Sequence, residues 1–306
     1  MTQYKYYILL FLFFNSLVFA GVQNDPYATV LKEKHGWVID SIAPGFIRYN
    51  YFGYYEQQQA FQNINVLELD LSLPDYSVEI LFTDISRPDS LSGVAEKNDA
   101  FAGINGTYES DASFVKSGGI IHTQNQLPAD HLRFWKHEGA LFYDKETNEI
   151  AITYGDDQKY QSSKIADIIS GSPMLIDNYN PVGIYFTGDV SDLVLDSLEY
   201  EDYRRHQGVR HPRTAVAQTR NNRLLLITVD GRHKQAAGMS AKELTEFIRR
   251  YFDPKSALNI DGGGSTTMWI KESNNENGVV NFPSDNKIFD HFGQRRVASF
   301  LLLKKK

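Results

Sequence analysis

The sequence predicts an α+β fold: a single domain with a mixed, mainly antiparallel sheet flanked by helices. Three observations lead there. Short apolar runs with strand-like patterning outnumber helical patterns. One well-capped amphipathic helix stands between two such runs near the C-terminus. No fixed-period repeat and no long Pro/Ser linker divides the chain.

The composition allows such a core. Of 306 residues, 42% are hydrophobic, 13% aromatic and 23% charged, which excludes a disordered chain. Thirty-eight acidic against 31 basic residues leave a net charge of −7, which argues against nucleic acid as a partner. Cysteine is absent, so disulfides, thiolate metal sites and a Cys nucleophile are excluded. The eight histidines are scattered, and no metal-ligand spacing stands out.

Taken in order, residues 1–20 differ from the rest. Lys5 precedes an apolar stretch from Ile8 to Phe14, and Val18 and Ala20 satisfy the small-residue rule before a cut. The segment is too short and interrupted for a comfortable membrane span. It predicts a signal peptide cleaved near Ala20 and a periplasmic or secreted protein with no membrane span afterwards. Cleavage removes Lys5 and no acid, taking the net charge from −7 to −8. Residues 21–60 are assigned to an N-terminal extension and 61–306 to the main domain.

Ile64–Leu73 alternates apolar and polar residues, as a half-buried strand does, and Tyr76–Phe82 follows after Pro74-Asp75; together they predict an antiparallel hairpin. Arg223–Val229 is a continuous apolar run and predicts a buried strand. Ser240 and Glu243 form a capping box, and Leu244, Phe247, Ile248 and Tyr251 repeat at helical spacing until Asp253-Pro254. Ala257–Ile260, Thr266–Ile270 and Arg296–Leu303 predict three further strands.

The strongest local motif is Ile260-Asp-Gly-Gly-Gly-Ser-Thr-Thr267. Its glycines free the backbone to gather N–H groups into an anion nest, and Ser265 and Thr266 add hydroxyls. It is not a P-loop, because no Lys follows the glycines. Asp261 and Asp230 are carboxylates at strand ends. Arg213, in His-Pro-Arg-Thr-Ala, is a fork-shaped donor suited to phosphate. Asn105-Gly106 and Ser170-Gly171-Ser172-Pro173 read as turns in isolation. Ser113-x-x-Lys116 with Ser284-Asp285-Asn286 suggests a penicillin-recognising enzyme, but no Lys-Thr-Gly accompanies them.

The ordered set 104–108 (INGTY), 170–173 (SGSP), 212–215 (PRTA), 229–232 (VDGR), 238–244 (GMSAKEL), 259–267 (NIDGGGSTT) and 295–297 (RRV) resembles the phosphodiester glycosidase family over roughly residues 60–303. The resemblance implies hydrolysis of a sugar-1-phosphodiester at the sugar side. It implies Asp261, Asp230 and Glu109 as catalytic carboxylates. Arg213, Thr214, Asn105, Gly106, Gly262, Gly263, Gly264, Ser265, Thr266 and Arg295 become substrate contacts, with a carbohydrate phosphodiester as partner. No cofactor is required by the sequence, although a divalent cation stays open, and the metal site and oligomeric state are not read. Two other functions compete: a non-catalytic glycan-binding protein on this scaffold, and a metal-dependent phosphodiesterase cleaving P–O.

Overall fold

A computed structural model describes residues 36–306. The signal peptide assigned to residues 1–20 lies outside the described residues. Three sheets wrap a shared core, and every strand ladder among the described residues is antiparallel.

The largest sheet runs β1 (Trp37–Ala43), β2 (Phe46–Tyr55), β3 (Ala60–Asp70), β14 (Arg223–Val229), β13 (Arg213–Gln218), β15 (Ser256–Asn259), β11 (Met174–Asp177), β12 (Asn180–Pro181). A second sheet runs β7 (Ile120–Thr123), β6 (Val115–Ser117), β10 (Asp167–Gly171), β8 (Gly139–Asp144), β9 (Glu149–Tyr154). A third runs β16 (Met268–Ile270), β5 (Ala102–Asn105), β17 (Ser299–Lys305), β4 (Tyr76–Phe82).

The apolar runs follow from burial on both faces. In β14, Leu224 and Leu226 join the core between the sheets, while Leu225, Ile227 and Val229 face the helix Ala241–Phe252. In β17, Leu301 and Leu303 point into the central core and Phe300 and Leu302 meet the short helix Leu91–Lys97. The period of two is intact, but each face has its own cover. The Ser240–Glu243 capping box is present with both reciprocal bonds, and Asp253 ends the helix in the left-handed region (φ 38°).

Several expectations are corrected. Ile64–Leu73 and Tyr76–Phe82 do not form a hairpin. β3 lies between β2 and β14, β4 pairs with β17, and the short link between them carries the chain from one sheet to another. Nor is β3 half-buried, since Gln62 through Leu69 are all buried. Its polar residues are matched inside: Glu68 accepts from Tyr49 Oη at 2.8 Å and pairs with Arg223, and Asn65 accepts from Arg48 at 2.9 Å. Residues 37–55, placed in an extension by sequence, supply β1 and β2 and the core residues Phe46 and Tyr49. Asn105-Gly106 is not a simple turn either; it is the end of β5, where Gly106 N donates to Ser299 O at 2.7 Å.

Candidate active site

Antiparallel pairing brings particular chain ends to one end of the largest sheet. Arg213 pairs with Val229 and Ala215 with Asn259, so the start of β13 lies beside the exits of β14 and β15. Those exits deliver Asp230 and Asp261. After Asp261 the chain turns through Gly262 and a 3-10 turn, Gly263–Ser265, before β16.

Two clefts meet here. One, of about 200 Å3, is lined by Gly262–Gly264, Lys136, His206, His211, Arg232 and Tyr200. The other, of about 310 Å3, is lined by apolar Phe82, Ile85, Val115 and Val297 with the hydroxyls of Ser110, Ser113 and Ser265. Tyr108, Glu109, Asp261 and Arg295 line both, and so form the wall between them.

Asp261 is the chemically distinctive group on that wall. Burial pushes its carboxyl up to about 7, opposed by a hydrogen bond from Ser265, raised further by Glu109 and offset by Lys136 and Arg295. Glu109 accepts from Lys136 Nζ at 2.9 Å, and the same ammonium reaches Glu201 at 2.9 Å. Burial disfavours the Lys136 charge, but the two carboxylates outweigh it and hold it protonated. Lys136 also stands 5.1 Å from the centre of the Tyr108 ring. Tyr108 itself is pinned: its hydroxyl donates to Ser172 O at 2.7 Å and accepts from Asn259 Nδ2 at 2.9 Å.

The cationic side of the site differs from the sequence expectation. Arg213 is 1% exposed and lines neither cleft. Its guanidinium donates to three backbone carbonyls, Met239 at 2.9 Å, His206 at 2.6 Å and Val209 at 3.0 Å. Burial pulls it down to about 10, so it remains a charge beneath the cleft with its donors turned to these carbonyls. That charge and burial keep the imidazoles neutral: His211 is held at about 3 by burial first and Arg213 next, and His206 is lowered in the same way.

Arg232 takes the exposed place instead. It lines the glycine cleft and, among the described residues, has no ion pair or side-chain hydrogen bond. Its backbone is left-handed (φ 66°), a conformation unusual for a non-glycine residue. Gly263 (φ +62°) leaves room for it; a Cβ there would lie 3.1 Å from Arg232 Nη2. Gly264 does the same for Arg295, whose Nη2 would be 2.5 Å from an added Cβ, and Arg295 is braced by Asp285 at 2.5 Å. The anion nest is smaller than expected. Gly263 N, Ser265 N and Thr266 N close the turn onto Pro212, Gly262 and Gly263, whereas Gly262 N and Gly264 N have no such partner among the described residues.

Other expected contacts lie below the clefts. Thr214 and Thr266 are fully buried, and the Thr214 hydroxyl donates to Asn105 Oδ1 at 2.9 Å. Gly106 is packed against Ser299 and reaches neither cleft. Asp230 is 1% exposed, and it accepts from Asn63 (2.6 Å), Asn281 (2.7 Å) and Phe282 N (2.8 Å). With its oxygens spent on these donors, it faces no cleft and is a clamp on the chain at 281–282. Among the described residues, no three or more His, Asp or Glu side chains gather where they could hold a metal ion.

Sequence reasoning missed Tyr108, Lys136, Glu201, His206, His211 and Arg232. Tyr108, His211 and Arg232 had a signal, being inside motifs already recognised. Lys136 and Glu201 come from distant loops that nothing in their spacing connects.

Asp261 and Glu109, the glycine turn and the paired clefts make up the candidate site, and the comparisons name the family. The phosphodiester glycosidase (NAGPA) family matches residues 98–304, and this chain belongs to it. The mouse N-acetylglucosamine-1-phosphodiester alpha-N-acetylglucosaminidase is 32% identical over 118 residues, 39% of this chain and 21% of that protein. The human enzyme of the same name is 30% identical over 118 residues, 39% of this chain and 21% of that protein. The matched stretch thus spans about a fifth of these relatives. In fold, the zebrafish NAGPA catalytic domain, described as auto-inhibited by its pro-peptide, superposes with a TM-score of 0.63 at 16% identity, covering 87% of this chain and 86% of that one. A hypothetical protein from Synechocystis follows with a TM-score of 0.57 at 12% identity, covering 88% and 64%. No helix among the described residues is long and apolar enough to cross a membrane.

Proposed function

We propose that the protein hydrolyses a glycosyl-1-phosphodiester at the bond between the sugar C1 and the phosphate oxygen. The observation that carries this reading is the wall of Asp261, Glu109, Tyr108 and Arg295 between a glycine-lined cleft that presents Arg232 and Lys136 beside Glu201 and a hydroxyl-lined one. The phosphate belongs with Arg232, Arg295 and the Gly264 N–H, and the sugar with the larger cleft. A water oxygen then bonds to C1 as the C1–O bond breaks, its electron pair leaving with the phosphate. Products are the free sugar and a phosphomonoester.

The two carboxylates suit different tasks. Asp261, raised to about 7, holds a proton it can give to the departing oxygen. Glu109, ion-paired to Lys136, faces the site as an anion that can take the water proton or steady positive charge at C1. A phosphomonoester leaves readily, so the acid need not be strong.

The relatives' names point to N-acetylglucosamine as the first sugar to try. Hydrolysis of an N-acetylglucosamine-1-phosphodiester in ¹⁸O water should place the label on the sugar. Label in the phosphate would establish P–O cleavage instead, and absence of turnover over a panel of donors would favour the glycan-binding alternative. Export to the envelope or outside, on the strength of residues 1–20, is part of the proposal. Sequencing the protein recovered from cells should find Gly21 at the N-terminus.

A further inference from the structure

The hairpin of β6 and β7 stands clear of the body of the protein. Its turn is Gly118-Gly119, with φ of +56° and +82°, and a Cβ added at either would meet nothing within 4 Å. Beside the turn, Ile120 and Ile121 are 64% and 41% exposed. Ile120 pairs with Ser117 and Ile121 with Lys116, so the two isoleucines point to opposite faces of β7. The hairpin is fixed to β4: Ser117 Oγ donates to Ile80 O at 2.5 Å, and His122 stacks on Phe82 with ring centres 4.9 Å apart. Phe82 lines the larger cleft together with Ile85, which is 53% exposed. An apolar path thus runs from the hairpin turn across His122 and Phe82 to Ile85. Its basic neighbours run against the net charge of −7. Arg87 is two residues from Ile85, and Arg296 lines the cleft with it. Lys164 is two residues before Ala166, whose carbonyl accepts from Gly119 N at 2.9 Å. All three are exposed and, among the described residues, without an ion pair. The nearby acids are engaged: Asp89 pairs with Lys97 at 2.7 Å, Glu79 with Lys304 at 3.3 Å, and Asp84 accepts from Ser86 N at 2.9 Å.

We propose that this face docks the protein on an anionic lipid bilayer, with the hairpin turn and Ile85 entering the interfacial layer and the basic residues resting on headgroup phosphates. The inference goes beyond the hydrolase reading and stands without it. Two features favour a bilayer over a protein partner. Ile120 and Ile121 face opposite ways, so a rigid surface laid on one face of β7 would cover only one of them, whereas a fluid layer surrounds the whole turn. Exposed apolar side chains ringed by unpaired Arg and Lys also match both parts of an anionic membrane surface, acyl chains and phosphates. Three isoleucines are too little apolar area for a permanent anchor, so the docking is reversible. Phe82 and Ile85 belong both to this face and to the cleft that holds Asp261, so docking sets that cleft beside the headgroup layer.

Co-sedimentation of the protein recovered from cells with vesicles of phosphatidylcholine, alone or mixed with phosphatidylglycerol, tests this without any substrate. We expect partitioning onto the mixed vesicles at least about tenfold above that onto phosphatidylcholine, weakening as salt is raised. I120S/I121S should partition at least about tenfold less at an unchanged Tm, and I120L/I121L should match the wild type. R87Q/K164Q should lose about tenfold or more, since each basic residue at an anionic surface contributes roughly a factor of five. The emission of I120W should shift to the blue on mixed vesicles as the turn enters the lipid. No binding by the wild type, equal binding to the two vesicles, full binding by I120S/I121S or R87Q/K164Q, or an unmoved I120W emission overturns the proposal. So does a wild-type dimer in sedimentation velocity that I120S/I121S converts to monomer, since the hairpin would then meet a second copy.

Discussion

Asn105, the last residue of β5, donates its side-chain amide to the main-chain carbonyl of Asp261 at 2.7 Å. Its Oδ1 accepts from the Thr214 hydroxyl at 2.9 Å and from Thr267 N at 3.1 Å. One buried side chain thereby ties two sheets together under the residue with the most distinctive chemistry. Asn105→Asp keeps the shape but turns an oxygen toward that carbonyl and adds charge near Asp261. We expect a loss of about 2–4 kcal/mol in urea unfolding and at least a hundredfold fall in kcat/KM. A variant as stable and active as the wild type would remove Asn105 from this role.

Asp261 offers a pH signature. Burial lifts its carboxyl to about 7 in the fold, against 3.8 for a free side chain, so between those values the folded chain holds a proton that the unfolded chain has lost. Stability from this group is therefore present at low pH and lost as pH rises through about 7. Asp261→Asn should gain in Tm relative to wild type from pH 4 to 8, while kcat drops at least a thousandfold. In the wild type, kcat should decline above about pH 7 as the acid is lost. A profile flat through that region would contradict the assignment.

Two arginines should separate binding from folding. Arg232 is exposed and, among the described residues, unpaired, so Arg232→Ala should raise KM about tenfold to a hundredfold with a change in stability within about 0.5 kcal/mol. Arg213 holds three carbonyls from inside, so Arg213→Met should cost about 3 kcal/mol or more and give little soluble protein. Steady-state kinetics alongside thermal melts decide the matter. The reverse pattern would return Arg213 to the phosphate.

Asp230 faces three donors, and Asn can offer an oxygen to only some of them. Asp230→Asn should cost about 1–3 kcal/mol yet leave kcat of the folded protein within about tenfold. A thousandfold fall in kcat at unchanged Tm would instead make Asp230 catalytic.

The strands and the capped helix of the last third were legible because their signals are local. Leu225 and Leu226 read as buried regardless of which face meets which layer, and Ser240 and Glu243 cap within one turn. The false hairpin shows the limit. Ile64–Leu73 and Tyr76–Phe82 have the pattern of paired strands, but pattern does not name a partner, and each found another. Glycine-rich Asp261–Ser265 was visible as a site for the same local reason, while the occupants of its surroundings were not.

By itself, the sequence determined several of the strands, where the longest helix among the described residues begins, and the glycine-rich turn after Asp261 as a candidate site. Those properties depend on residues a few positions apart, whose spacing sets both backbone conformation and exposure. Tertiary structure decided which charges line the clefts. Arg213 and Asp230 lie at strand ends as the sequence suggests, but sheet pairing buries them against carbonyls and amides. Arg232, two residues later, and Lys136, from the 3-10 turn between β7 and β8 of the second sheet, are left to face the cleft. Chain proximity cannot distinguish a strand-end charge that points inward from one that points out; only the packing of three sheets around it can.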